Sequence, residues 1–412
     1  MCTHLTRRQA TYYFRRVIPA ELQQNFGGKR EWVYSLGTKD RAAAKRQAQD
    51  ETVRTNRLID EALGKPAPAP AEPAPMRGPA VSAPKTGFKL DPAIVDLWAA
   101  ERKVSDKGRD THRAVARWFH DRIGQKTVDQ ITRQDVLAFK SKLVEEGQTP
   151  ANIKMKLSRL RTLLQWAADN GQARSNPAEG VSIKDAEAAK NKRRSFDLAS
   201  LNAIFGSPVY TSGERPTQGR GEAAYWLPLL ALFTGARMEE LGQLRPGDVV
   251  CLPFPDTDGR EQAAWFIKIT TDKADGLRLK NAASERLVPV HPELERLGFV
   301  RHALAMKAQR RARIFHELRP GAYGRLTAKW GEWFSSYRRD VCGVTDRRMV
   351  FHSFRHTFKD YARHAGIAEG VQRQIMGHSG EDVADEYGSG HSLYRLAEGM
   401  KLYRVPGLSA LS

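Results

Sequence analysis

Residues 65–85 constrain the fold of this chain most strongly, because they cannot belong to a folded core. The segment holds seven of the chain's 21 prolines and few side chains that a core could bury. Proline lacks a backbone N–H donor and fixes its own backbone conformation, so this composition favours an extended, polyproline-like tether. The 412-residue chain is therefore predicted to consist of a small module, residues 1–64, and a larger part after this Pro/Ala-rich linker.

Net charge and cysteine content narrow the class of protein. A formal net charge of +20 favours a polyanionic partner, since cationic side chains attract nucleic acid and release its counterions. No apolar run is long enough to span a bilayer, and the N-terminus lacks the apolar segment of a secretion signal. The three cysteines are too scattered for a disulfide framework or a zinc site. We therefore expect a cytoplasmic, nucleoid-associated protein that binds double-stranded DNA, without membrane contact, metal or cofactor.

The N-terminal module is predicted to be a β-hairpin followed by a helix. Aromatic and β-branched residues fill residues 11–18 and 30–36, and Gly27 and Gly28 between them favour a turn. The first 46 residues hold ten Lys or Arg against three Asp or Glu. Such a basic hairpin could enter a DNA groove, but a solvated module that packs on its neighbours or contacts another protein is the alternative. The candidate DNA contacts are Arg15, Arg16, Lys29 and Arg30.

Residues 86–182 are predicted to form a helical domain. Its first helix is expected to begin at Pro92 and its second at Asp110. Thr132 and Asp135 have the spacing of a capping box, which predicts the start of the third helix. Apolar residues repeat at helical intervals from residue 153 to residue 164 of the fourth helix. A charged helix face is often only solvated, so the basic side of this helix does not by itself indicate DNA binding. That side is expected to carry Lys154, Lys156, Arg159 and Arg161.

A polar, basic linker of residues 183–194 leads into the last domain, residues 195–412. This domain is predicted to contain a buried helix at residues 223–233 and strands within residues 248–269 and 286–290. The rest of its pattern is helical. The whole chain is therefore expected to be mainly α with small antiparallel β-sheets, an α+β fold.

Four stretches of the last domain carry an unusual set of side chains. They are residues 234–241, a lysine ahead of a Ser-Glu-Arg-Leu-Val-Pro-Val strand, residues 352–356, and a Gly-His pair followed nine residues later by a tyrosine. No metal-ligand spacing accompanies them. The candidate catalytic residues are Arg237, Glu240, Lys280, His352, Arg355, His378 and Tyr387.

This inventory suits the metal-free transfer of a phosphodiester to a tyrosine. Negative charge builds on the non-bridging oxygens during such a transfer, and the guanidinium groups of Arg237 and Arg355 would stabilise it. Glu240 lies one helical turn after Arg237 and could orient that arginine by a charged pair.

Proton transfer can be assigned to the remaining side chains. A free tyrosine hydroxyl has a pKa of about 10, so Tyr387 would attack better if His352 shared its proton. Lys280 could protonate the leaving 5′ oxygen, and His378 could donate a hydrogen bond to the phosphate. His356 is expected to point elsewhere, because it is adjacent to Arg355 and adjacent helical residues do not share a face.

At these residues the sequence resembles the tyrosine recombinase (phage integrase) family. The Arg-x-x-Glu-Leu, Lys, His-x-x-Arg, Gly-His and Tyr elements occur in the family's order, with similar spacing. Each element alone has an ordinary explanation, such as a surface salt bridge or a glycine at a helix end. Lys280, rather than Lys273, occupies the position of the family's lysine. Tyr387, rather than Tyr394 or Tyr403, has the family's distance from Gly-His.

The resemblance, which covers residues 195–392, implies a site-specific DNA recombinase that acts as a homo-tetramer on two duplexes. Tyr387 would form a 3′-phosphotyrosyl link and release a 5′ hydroxyl, without ATP or a metal. Excisionase and DNA-bending proteins are possible accessory partners in this family. A type IB topoisomerase would use nearly the same residues, and a non-catalytic DNA-binding protein is the alternative from another class.

The resemblance also assigns roles to the other segments. The N-terminal module would read accessory arm sites, and the helical domain would be the core-binding domain. The linker would join two halves of a clamp around the duplex, with Lys192, Arg193 and Arg194 near phosphates. The C-terminal tail would pack either on a neighbouring protomer or on its own domain, and the sequence leaves both open.

Overall fold

The computed structural model describes residues 4–8, 11–38, 40–63, 87–184, 192–270, 285–377 and 390–409. The chain divides into two compact units, Met1–Pro84 and Lys85–Ser412. The division falls within the Pro/Ala-rich segment, which itself lies outside the described residues. Three predicted site residues, Lys280, His378 and Tyr387, also lie outside them.

The N-terminal unit is a three-stranded antiparallel sheet packed on one helix. The elements are β1 (Leu5–Arg8), β2 (Thr11–Val17), β3 (Glu31–Ser35) and α1 (Arg41–Ala62), with sheet order β1-β2-β3. Phe14 of β2 lies opposite Leu5 and Tyr34 and is fully buried, together with Ala44 and Ala48 of α1. The predicted hairpin and helix are confirmed. Strand β1 was not predicted, because its polar sequence is ordered by pairing with β2.

Four helices form the first core of the second unit. They are α2 (Pro92–Glu101), α3 (Asp106–Ile123), α4 (Arg133–Glu145) and α5 (Pro150–Asp169). The capping box predicted at the start of α4 is present, since the Thr132 and Asp135 side chains each accept a hydrogen bond from the other's backbone N–H. Helix α3 begins before the predicted Asp110, because the Ser105 side chain accepts a hydrogen bond from Gly108 N and caps it.

The described residues between 192 and 409 form a second, larger core. Its helices are α6 (Leu198–Phe205), α7 (Pro208–Thr211), α8 (Glu222–Thr234), α9 (Met238–Gly242), α10 (Pro292–Arg296), α11 (Phe299–Ala308), α12 (Ala328–Asp340), α13 (Ser353–His364), α14 (Glu369–Met376) and α15 (Leu393–Leu402). Strands β4 (Val249–Pro255), β5 (Glu261–Ile269) and β6 (Arg286–Pro289) form an antiparallel sheet in that order. Helix α8 is buried from Ala223 onward except at Tyr225, as the apolar run predicts.

Aromatic side chains fix the orientation of helix α13. Phe354 is 0% exposed, with ring centroids 4.6 Å from Phe196 and 5.5 Å from Phe351. One turn later, Phe358 is also 0% exposed and stacks on Tyr403 at 4.7 Å. Because these two rings lock one face of α13, the polar residues between them have a defined direction. In the ranges that the structure describes, no helix combines the length and apolar composition needed to cross a membrane.

Candidate active site

Arg237 stands at the start of α9, held by the carboxylate of Glu240. Helix α8 ends at Thr234, and the left-handed backbone of the following Gly235 (φ 62°) turns the chain toward Arg237. The Arg237 Nη1 donates to Glu240 Oε1 at 2.7 Å, and its backbone N donates to Oε2 at 2.9 Å. Glu240 is 3% exposed, whereas the Arg237 side chain is 28% exposed. The pair expected from the sequence is therefore present, with the arginine as its accessible member.

Arg355 lies deeper, on the first turn of α13. Its Nη1 donates to the carbonyl oxygens of Gly235 at 2.7 Å and Met376 at 2.6 Å. Its Nη2 is buried and has no hydrogen-bond partner among the described residues. Burial, followed by the nearby charges of Arg237 and Arg286, lowers the pKa of Arg355 to about 9. Among the described residues, the guanidinium is thus bonded through Nη1, while Nη2 keeps a donor without a partner.

Arg286, at the start of β6, completes the charged cluster. Its Nη2 donates to Glu240 Oε2 at 2.8 Å, and its Nε donates to the carbonyl oxygen of Ile375 at 2.7 Å. A Cβ placed on Gly377 would lie 2.7 Å from Arg286 Nη1. Arg286 was given no role from the sequence. In the sequence it is a single arginine at the start of the partly buried strand Leu-Val-Pro.

His352 precedes α13 and has a strongly lowered basicity. The ring reaches the surface, but burial, followed by His356 and Arg355, lowers the pKa of His352 to about 4. The imidazole is therefore neutral at pH 7 and can accept a proton. His356 packs edge-on against it, with ring centroids 5.3 Å apart. The expectation that His356 points elsewhere is wrong, because its spacing of four residues from His352 places both on one helix face.

The tyrosines near the C-terminus differ in accessibility. Tyr403 is 0% exposed, and its hydroxyl donates to the carbonyl oxygen of Leu232 at 3.0 Å. Burial raises its pKa well above the usual 10, which makes Tyr403 unsuited to nucleophilic attack. Tyr394 is half-buried on α15. Lys273 and Tyr387 lie outside the described residues, so the two choices made from spacing remain predictions.

Helix α15 packs on its own domain. Leu396 and Met400 are buried in the large core, and the Tyr403 carbonyl accepts a hydrogen bond from His291 Nε2 at 3.0 Å. Of the two placements left open for the tail, the described part shows this one. Among the described residues, no group of three or more His, Cys, Asp or Glu lies close enough to hold a metal ion.

Segments of this chain, and its fold, are similar to those of known proteins. A family described as a domain of unknown function (DUF6538) matches residues 4–63. Tyrosine recombinase XerC of Salmonella typhi is 28% identical over 82 residues, which are 20% of this chain and 27% of that relative. The structure is similar to a lambda integrase tetramer bound to a Holliday junction, with TM-score 0.51, 16% identity and coverage of 92% and 96% of the two chains. The chain has the fold of lambda integrase.

A second solved structure is similar over nearly the whole chain. It is a lambda integrase dimer bound to a COC′ core site, with TM-score 0.50, 16% identity and coverage of 98% of this chain and 97% of that chain. The matched stretch of XerC, by contrast, spans only about a quarter of that relative's length. These comparisons establish the mainly α fold with small sheets that the sequence predicts.

The exposed side of α5 carries fewer cations than predicted. Lys156 is 8% exposed, and its Nζ lies 4.0 Å over the Trp118 ring. Arg161 donates to the carbonyl oxygens of Ala178 at 3.1 Å and Val181 at 2.6 Å. Both cations therefore bind within the domain, and the prediction that they face DNA is corrected. Lys154 is exposed and Arg159 is half-buried, so these two keep their predicted role as candidates.

The prediction that Arg16 of the N-terminal unit contacts DNA is corrected in the same way. Its guanidinium donates to the Thr52 carbonyl at 3.1 Å, to Thr55 Oγ1 at 2.6 Å and to Asn56 Oδ1 at 2.7 Å. It therefore ties β2 to α1. The other candidates of this unit have exposed side chains, with Arg15 paired to Glu31 at 2.8 Å. They are Arg15, Lys29 and Arg30.

The basic residues of the linker lie beside the site. Lys192 is exposed, and Arg193 Nη1 donates to the Arg347 carbonyl at 3.1 Å. After burial and the charges of His356, Arg355 and Arg237, the charge of Arg193 is a further cause of the lowered pKa of His352. Arg194 lies 3.7 Å from Asp346 with more than half its side chain exposed. Contact of these cations with phosphates stays a prediction.

Proposed function

We propose that this protein is a site-specific DNA recombinase of the integrase type. It would cut and rejoin DNA through a 3′-phosphotyrosyl intermediate, and so integrate or excise a mobile element. The observation that carries the proposal is Arg355, whose Nη1 is fixed by two carbonyl bonds while the buried Nη2 has no protein partner among the described residues. A buried, unused guanidinium N–H is suited to an anionic oxygen, and a phosphodiester in transfer supplies one.

The neighbouring groups suit the same chemistry. Arg237, with its guanidinium partly exposed, would bind a second non-bridging oxygen of that phosphate. His352, neutral at pH 7, would accept the proton of the attacking Tyr387 hydroxyl. Lys280 would protonate the departing 5′ oxygen, and His378 would donate a further hydrogen bond. The free 5′ hydroxyl of the partner duplex would then attack the phosphotyrosine and restore the DNA backbone.

The proposed oligomer and DNA partner are inferred from this chemistry and from the similar solved structures. Exchange between two duplexes needs four nucleophiles, and the similar lambda integrase structure is a tetramer on a Holliday junction. We infer a homo-tetramer on double-stranded attachment sites at the nucleoid, with excisionase and DNA-bending proteins as accessory partners.

The N-terminal module is inferred to contact arm-site DNA with the open face of its sheet. Side chains alternate across β2, so Phe14 and Arg16 face helix α1. The opposite face carries Tyr13 and Arg15, and the turn before β3 exposes Lys29. A titration of duplexes from the ends of the element with the isolated module, comparing wild type and Lys29→Glu, tests this contact.

A nicked duplex that traps the covalent intermediate tests the whole proposal. Wild type and Tyr387→Phe would be incubated with it in EDTA and separated on a denaturing gel. We expect a 3′-linked protein–DNA adduct with wild type and none with Tyr387→Phe. An adduct that persists in Tyr387→Phe would contradict the choice of nucleophile and favour Tyr394.

Two outcomes would favour the alternatives. Tight DNA binding without an adduct on any natural end of the element would indicate a non-catalytic DNA-binding protein. Relaxation of supercoiled plasmid lacking any attachment site, at the rate of plasmid that carries one, would indicate a type IB topoisomerase.

A further inference from the structure

Arg286 connects three parts of the proposed active site while remaining buried itself. Its side chain is 4% exposed and lies at the head of β6. Nη2 donates to the Glu240 carboxylate, Nε donates to the Ile375 carbonyl, and Nη1 lies 2.7 Å from the place that a Cβ on Gly377 would take. A side chain this deeply buried is poorly placed to touch DNA, so any influence on the reaction passes through the groups it holds.

The first of these groups is the Glu240 carboxylate, which is shared between two arginines. Oε1 accepts from Arg237 Nη1 at 2.7 Å, and Oε2 accepts from Arg286 Nη2 at 2.8 Å. Oε2 also accepts from the Arg237 backbone N at 2.9 Å, so Arg286 and that N–H together occupy it, and the Arg237 guanidinium is held at Oε1. Without Arg286, Oε2 would keep only the backbone N–H and could also accept from the Arg237 guanidinium. A two-pronged pair would then form, and its charge and donors would be withdrawn from a phosphate.

The second group is the end of α14. Arg286 Nε donates to the carbonyl of Ile375, and Arg355 Nη1 donates to the next carbonyl, that of Met376, at 2.6 Å. Gly377 follows with φ 66°, and any Cβ there would collide with Arg286. The two guanidiniums are therefore fixed relative to each other by adjacent peptide groups of one helix end.

We propose, on the basis of the proposed function, that Arg286 is a positioning residue for strand cleavage. It holds Glu240 and the end of α14 so that Arg237 and Arg355 present their free N–H groups to the same scissile phosphate. The reacting groups remain those of the two catalytic arginines, and Arg286 supplies their separation and orientation. Small displacements of such groups reduce rate more than they reduce binding, because only the transition state needs the full geometry.

The test compares Arg286→Met and Arg286→Lys with wild type on two nicked duplexes. One carries the natural scissile phosphate and the other a methylphosphonate, in which a methyl group replaces one charged non-bridging oxygen. We expect Arg286→Met to slow adduct formation on the phosphate by about 100-fold or more, as for loss of an oxyanion donor. The loss on the methylphosphonate should be much smaller, because it has less charge for misplaced arginines to stabilise. Arg286→Lys, which keeps the charge but not the fork, should be intermediate.

Arg245→Met is the matched control. Arg245 forms the same kind of pair as Arg237, with Asp248 three residues later at 3.2 Å, but it belongs to no part of the proposed site. Its loss should lower stability without changing the ratio of the two cleavage rates. Arg286→Lys, which keeps a cation beside the buried Glu240 carboxylate, keeps the test available if Arg286→Met folds poorly.

The outcomes separate this proposal from the proposed function. If wild type forms no adduct, the recombinase function itself fails. If wild type reacts but Arg286→Met cleaves the phosphate duplex at the wild-type rate, the positioning role is refuted. The positioning role is also refuted if the rate of Arg286→Met falls by equal factors on the phosphate and the methylphosphonate, since a structural defect alone gives that result.

Discussion

Replacing Arg355 by lysine should separate charge from geometry in the active site. An ammonium keeps the positive charge, but it cannot bond the carbonyls of Gly235 and Met376 and also present the donor that Nη2 supplies. Loss of one donor to a developing oxyanion costs about 2.7–4 kcal/mol in the transition state, a rate loss of about 10²–10³. Binding should change far less, because DNA affinity is distributed over many phosphate contacts.

The structural cost of this change can be estimated from the two carbonyls. Gly235 and Met376 are buried, and a buried polar group left without its partner costs about 1–3 kcal/mol. Arg355→Ala would leave both carbonyls unpaired and so endanger folding, whereas the lysine can satisfy one of them. This difference makes Arg355→Lys the better probe of the chemistry.

Single-turnover cleavage of the nicked duplex, together with the dissociation constant and the Tm, measures these effects. Arg373→Lys is the control, since it makes the same chemical change at a surface pair with Glu369. An unchanged cleavage rate in Arg355→Lys, with an intact Tm, would refute the assignment of Nη2 to the phosphate. A rate loss matched by an equal loss of DNA affinity would contradict a role specific to the transition state.

Three further predictions concern the structure around the site. Gly377→Ala should lower the Tm and the cleavage rate more than Gly366→Ala. Both glycines have left-handed backbones, but only a Cβ on Gly377 would collide with a neighbour, at 2.7 Å from Arg286. Equal losses in the two variants would contradict this prediction. Tyr403→Phe should cost about 1 kcal/mol of unfolding free energy by losing one buried hydrogen bond, measured by urea titration, and should still form the adduct. The pKa of His352 is about 4 in the folded protein, below its ordinary 6.5. As the pH falls from 6.5 to 4, the unfolded chain binds a proton at this residue before the folded protein does, so the free energy of unfolding decreases over that range. Urea midpoints of His352→Gln should therefore fall less over that range than those of wild type, and parallel curves would exclude this effect.

The sequence predicted the elements whose local pattern agrees with their burial. The apolar α8 is confirmed, as is the capping box at Thr132, because each depends on residues within one or two turns. The pairing of Arg237 with Glu240 is local in the same way.

The residue spacing also contained the information that would have corrected two wrong assignments, those of Lys156 and Arg16 to DNA contacts. Lys156 lies three residues after the buried Ile153, on the apolar side of α5, and its stem runs along the core to the Trp118 ring. Arg16 alternates with the buried Phe14 and therefore faces α1. Charge was given more weight than periodicity in both cases. The role of Arg286 was not legible, since it depends on contacts with Glu240 and Ile375, which are 46 and 89 residues away in sequence.

The charged cluster has a consequence for the protein without its substrate. Among the described residues, Arg237, Arg286 and Arg355 gather near the carboxylate of Glu240, so the DNA-free site holds like charges close together. After burial, the charges of Arg237 and Arg286 are the next causes of the lowered pKa of Arg355. Such surplus charge opposes folding, and a phosphate is the counter-ion that relieves it. Under the proposed function, the scissile phosphate would therefore act as a missing structural component of the domain, and a preparation freed of nucleic acid should be the form most prone to unfold.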